Sequence, residues 1–117
     1  MRLSEITYEG SAPIDSYGPG FFRIAGVIHE GATLVLPDGP QPWGGPSDWA
    51  AITALKGAFD VLLIGTGAEI ANLPQETRAA LDRANIGHDL MATPTACRSY
   101  NILLAEGRRV IAALLAL

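Results

Sequence analysis

A chain of 117 residues, 49% of them apolar and 17% charged, has ample material for one hydrophobic core and none of the low hydrophobicity that marks disorder. Its 12 acidic and 8 basic side chains are scattered and sum to a formal charge of −4, which leaves no basic stripe for nucleic-acid phosphates. The single cysteine, Cys97, excludes an internal disulfide framework, and no apolar run approaches the ~20 residues a membrane-crossing helix needs.

Met1-Arg2-Leu3-Ser4-Glu5-Ile6 carries no apolar signal core, and with a lone thiol this predicts a cytoplasmic protein. The first third reads as β: Phe21–Ile24, Val27–His29 and Thr33–Leu36 are short strand-like runs, expected as antiparallel neighbours. Gly26 interrupts the pattern at a bulge or close backbone approach. Residues 37–46 hold four of the eight prolines and predict a loop that joins no ladder. Ser47 then suits an N-cap, Asp48 complements the helix dipole, and Trp49, Ile52 and Leu55 recur at helical spacing until Gly57.

Val61-Leu62-Leu63-Ile64 is a continuous apolar run, as expected of the central strand, buried on both faces. Asn72 and Gln75 match a capping box around Pro74, and Thr77, Leu81 and Ala84 form the apolar stripe of a helix. Asn85 can end that helix in the left-handed conformation, with Ile86 as its apolar latch. A second strand at Gly87–Met91 completes a βαβ unit over residues 60–91. Thr93 and Pro94 open a helix running to about Glu106. Arg108 and Arg109 precede an apolar run over 109–115 that reads as a buried strand, with a helix as the alternative. No linker or repeat divides the chain, so residues 1–117 are expected to form one α/β domain.

Five features bear on chemistry. Gly65-Thr66-Gly67 follows the buried strand at the carboxyl edge, where open α/β sheets hold ligands, yet position 70 is Ile and no P-loop lysine follows. The glycines serve either a tight turn or an anion site. Cys97 stands near a helix start beside Arg98, which would favour a thiolate with His88 as base; the competing reading is a packed, inert cysteine. His29 and His88 lack clustered partners at metal-ligand spacing, so no metal and no cofactor is expected. The stretches Tyr17–Phe22 and Pro42–Pro46 combine aromatics with rigid turns, either as a recognition surface or as cover for the β layer. Tyr100 and Asn101 fall on neighbouring faces of the 94–106 helix and predict bonds to loop backbones, including Gly65-Thr66-Gly67. The candidate ligand or partner cleft is therefore Tyr17, Gly65, Thr66, Gly67, Cys97, Arg98, Tyr100 and Asn101, with no catalytic residue assigned.

The run Val61–Gly67 and the segment from Ala96 through Tyr100-Asn101 to Glu106-Gly107-Arg108 resemble a small α/β family of unknown function that includes the mitochondrial complex I assembly factor 3. Ile14–Gly18 and the proline-tryptophan loop fit the same pattern, and Ser99 stands where threonine would be expected. The resemblance implies a three-layer domain around a mixed five-stranded central sheet with an N-terminal antiparallel β layer, its last strand at 109–115 inserted antiparallel among parallel neighbours. It also implies a non-enzymatic binding or assembly-factor role with a protein partner, such as help in assembling a respiratory or membrane complex; without a mitochondrial targeting extension, a bacterial copy is expected. The alternative from another class is a small-molecule-binding protein or enzyme using the strand-end cleft.

Overall fold

The computed structural model describes residues 12–117, so the reading of residues 1–6 lies outside the described residues. In chain order the strands are β1 (Ile14–Gly18), β2 (Phe21–Ile24), β3 (Val27–Glu30), β4 (Thr33–Leu36), β5 (Gly39–Pro42), β6 (Val61–Gly65), β7 (Asp89–Met91) and β8 (Val110–Leu114). The helices are α1 (Ala50–Ala54), α2 (Gln75–Arg83) and α3 (Thr93–Ala105). Strands β1-β2-β3 make an antiparallel sheet, and a mixed five-stranded sheet has the order β5-β4-β8-β6-β7.

The period of two along each buried strand divides the apolar side chains between two faces of the five-stranded sheet. Leu34, Leu36, Leu62, Ile64, Ile111 and Ala113 face one way, against Trp43, Trp49, Ile52 and Leu81 of α1, α2 and the loop before α1. Val35, Leu63, Ala112 and Leu114 face the other, against Ala96, Cys97 and Tyr100 of α3 and Ile14, Phe22 and Ile24 of the smaller sheet. The result is three layers, and each fully buried Leu or Ile contributes about 1.5–3 kcal/mol by leaving water.

Several expectations change. The middle strand is β8, not β6, and every residue of β8 is buried. A segment with helices or sheet on both faces must be apolar throughout, so its alanines and leucines suit a strand as well as a helix. It is not antiparallel to all its neighbours: β8 runs parallel to β6 and antiparallel to β4. Strand β4 leaves the N-terminal sheet to pair with β8, so among the described residues β1, β2 and β3 form the outer antiparallel layer.

The proline-rich stretch is not all loop, since Gly39–Pro42 forms β5 on β4. An edge strand needs donors on one side only, and Pro40 and Pro42 alternate with Gln41, so their missing N–H groups fall on the open side.

The capping predictions fail at both early helices. Ser47 does not cap α1, which begins after Trp49, and Pro74 rather than Asn72 precedes α2, with no side-chain cap at either. Asn85 does adopt the left-handed conformation, with φ 58°, and the Ile86 amide reaches back to the Leu81 carbonyl at 2.9 Å with Ile86 buried. The second strand of the βαβ unit is shorter than expected, Asp89–Met91, and pairs parallel to β6.

Candidate functional site

At the carboxyl end of β6 the chain turns through Gly65-Thr66-Gly67 against the start of α3. Thr93, which is fully buried, does not cap its helix. Its hydroxyl donates to the Leu115 carbonyl at 2.7 Å and accepts the Gly67 amide at 2.9 Å, while its own amide donates to the Gly67 carbonyl at 2.8 Å. The Thr66 amide bonds the Met91 carbonyl at 2.9 Å, and the Leu115 amide bonds the Gly65 carbonyl at 2.9 Å. Thr66 Oγ1 donates to the Glu69 carbonyl and accepts the Ala71 amide. The turn amides of Thr66 and Gly67 thus already have protein partners, unlike the free amides that an anion cradle presents. Gly67 takes φ +101°, which side-chain-bearing residues rarely adopt.

Asn101 bonds outside its helix as predicted, but to β1 rather than to the glycine turn. Its Oδ1 accepts the Ile14 amide at 2.8 Å and its Nδ2 donates to the Ile14 carbonyl at 2.8 Å. The carboxamide thereby imitates a neighbouring strand and closes the β1 edge at that point. Asn101→Ala should cost about 1–3 kcal/mol by leaving both Ile14 groups without that partner. A urea midpoint equal to that of the unmodified protein would show that water replaces the amide.

Cys97 is buried in the apolar cluster that also holds Tyr100 and is flanked by Tyr17. Burial pushes its thiol from 9.0 up to about 12, and the nearby Arg98 cation only partly offsets this. This corrects the reactive-thiolate reading. His88 lines a surface groove of about 430 Å³ with Gln75, Arg78, Ala79 and Asp82 of α2, across the sheet from Cys97, so it cannot act as its base. Iodoacetamide at pH 8 should leave Cys97 unlabelled in the folded protein and label it after unfolding. Because the folded value lies above the unfolded one, the unfolded chain loses its proton first. Stability should therefore fall as pH rises between 9.0 and about 12.

Trp43 of the proline loop and Trp49, just before α1, are core residues. Trp43 and Trp49 meet edge to face at 5.4 Å, and their indole N–H groups donate to the carbonyls of Asp48 and Pro46. Thr77 of α2 also donates to the Pro46 carbonyl, at 2.7 Å, which ties the loop to the βαβ unit. Of the predicted cleft, Tyr17, Cys97 and Tyr100 share one apolar cluster, Gly65, Thr66 and Gly67 surround Thr93, Asn101 holds β1, and Arg98 is exposed. Sequence reasoning missed Thr93 and Ile14 as the residues that join these parts. The only signal for Thr93 was its place before Pro94, which a helix cap explains equally well. Another groove, of about 640 Å³, lies along α2 and is lined by Pro74, Gln75, Glu76, Ala79 and Arg83. Among the described residues no cluster of His, Cys, Asp and Glu is arranged to hold a metal ion, and no helix is long and apolar enough to cross a membrane.

The model of a family described as a protein of unknown function (DUF498/DUF598) matches residues 14–115. The chain belongs to this family. The match begins at Ile14, the partner of Asn101, and ends at Leu115, the partner of Thr93. An uncharacterised protein of Rhodobacter capsulatus is 49% identical over 98% of this chain and 93% of its own length. The NADH dehydrogenase [ubiquinone] 1 alpha subcomplex assembly factor 3 of Danio rerio is 34% identical over 87% of this chain, which spans 63% of that protein. Among solved structures, one described as an outer membrane protein from Bartonella henselae superposes with a TM-score of 0.83 at 40% identity, covering 94% of this chain and 98% of that one. The family fold is therefore the one described above.

Proposed function

We propose that this protein is a non-enzymatic, protein-binding assembly factor that acts in the bacterial cytoplasm on a component of a respiratory membrane complex. The observation that carries the reading is the 34% identity to the zebrafish assembly factor across 87% of the chain. The R. capsulatus relative, at 49% identity over nearly equal lengths, supports a bacterial origin. Local chemistry is compatible with this role. The glycine turn spends its Thr66 and Gly67 amides on the protein, and Cys97 is buried and held neutral.

The test is deletion of the gene in its own organism, with native electrophoresis and membrane NADH oxidation as readouts. Assembled NADH:ubiquinone oxidoreductase should fall while unassembled subunits accumulate, and the intact gene should restore it. A normal level of assembled, active complex in the deletion strain overturns the proposal.

A further inference from the structure

Natural sheets protect their edges, and among the described residues most sheet edges are protected. Strand β5 presents Pro40 and Pro42, β1 is held by the Asn101 amide at Ile14, and β7 is three residues long. Strand β3 differs. Among the described residues it is the outer strand of its sheet, approached but not paired by β5, and it has no proline, lysine or bulge, while Val27 is 56% and Ile28 42% exposed.

Hairpin geometry identifies which groups it offers. The β2–β3 turn is Ala25-Gly26, both with positive φ (51° and 78°), the signature of a type I′ turn whose closing pair, Ile24 and Val27, exchanges hydrogen bonds. Alternation then turns the backbone groups of Val27 and His29 toward β2 and those of Ile28 and Glu30 outward. The Gly31 amide, bonded to the Gly20 carbonyl at 2.8 Å, obeys the same alternation.

We infer that the β3 edge pairs antiparallel with β3 of a second copy about a two-fold axis at His29. Three registers would join outward-facing residues. One places Glu30 opposite Glu30, like charge against like. Another sets Ile28 against Ile28 but asks Gly26 to pair with Glu30, and the Gly26 amide is already bonded to Asp15 Oδ2 at 3.0 Å. The third pairs Ile28 with the second copy's Glu30 in both directions and uses all outward groups of both strands. It also puts Arg23, directly across from Ile28 on β2, in one row with the second copy's Glu30, about 10 Å apart between Cα positions and within reach of two long side chains. The pairing ends at Gly31, beyond which the Trp43 amide occupies the Ala32 carbonyl, and the copy's own turn begins there. The open edge and the arm that fills it therefore match in length, which favours a second copy over an unrelated strand.

The test is cysteine crosslinking of the full chain together with sedimentation equilibrium. In this register the two His29 residues are a directly opposed pair roughly 4.5 Å apart between Cα atoms, within disulfide range. The two Val27 residues lie about 13 Å apart along the strands. His29→Cys should therefore form an intermolecular disulfide, and Val27→Cys, although at the more exposed position, should not. Glu30→Lys should weaken the dimer, and the double variant Arg23→Glu with Glu30→Lys should restore it. A monomeric unmodified protein at its highest soluble concentration, or crosslinking of Val27→Cys as fast as His29→Cys, overturns the inference and leaves the edge to some other chain.

Discussion

Thr93→Val should be among the most damaging conservative changes, lowering the free energy of unfolding by roughly 3 kcal/mol. Valine keeps the volume and the β-branch but removes the hydroxyl that accepts the Gly67 amide and donates to the Leu115 carbonyl, at 2.9 and 2.7 Å. The site is fully buried, so the amide and the carbonyl would lose their partner where water cannot readily replace it. Thr93→Ser keeps the hydroxyl and should recover most of the loss. Urea denaturation of the three proteins measures both effects. Equal midpoints for the serine and valine variants would mean that the hydroxyl contributes nothing and that packing of the methyl is what matters.

Gly65→Ala should cost about 1–3 kcal/mol, for a different reason. A Cβ at this position would stand 2.8 Å from Thr93 Oγ1 and 3.0 Å from both Thr93 Cα and Leu114 Cδ2. Two of these atoms belong to the helix start and its buried hydroxyl, so relief requires α3 to move off the sheet. Gly67→Ala meets no atom within 4 Å and should cost only about 1 kcal/mol, from its φ of +101°. Thermal unfolding of the two variants separates the effects. The Gly65 variant should lose more, and its loss should not add to that of Thr93→Val, since both disturb one contact. Additive losses would show that the two residues act independently.

These two residues mark where reading the chain worked and where it stopped. The apolar run at Val61–Ile64 and the left-handed Asn85 were legible because each depends on neighbours within a few positions, and the parallel unit over 60–91 because a strand, helix and strand in succession leave few ways to pair. The glycine turn was legible as a turn, but its partner was not. Thr93 before Pro94 satisfies the local rule for a helix cap, and only the approach of Gly67 and Leu115 turns its hydroxyl into a bridge between strand end, helix start and C-terminal segment. Asn101 was expected to reach outside its helix, yet Ile14 lies 87 positions away and no periodicity points to it. The proline-rich segment was misread because the rule against proline in ladders applies to both sides of a strand, and β5 has a ladder on only one.

By itself, then, the order of residues determined which segments must be buried and where the chain must turn, since hydrophobic periodicity and the φ preferences of glycine and asparagine act over a few residues. The tertiary structure alone decided that β8 enters between β4 and β6, which of the described strands lie at the sheet edges, and which polar groups meet. It also decided that Cys97 is held neutral, because the raised pKa comes from burial in the apolar cluster under α3 and outweighs the neighbouring Arg98. Such outcomes depend on contacts between distant segments, and their energies arise only when desolvation brings those segments together.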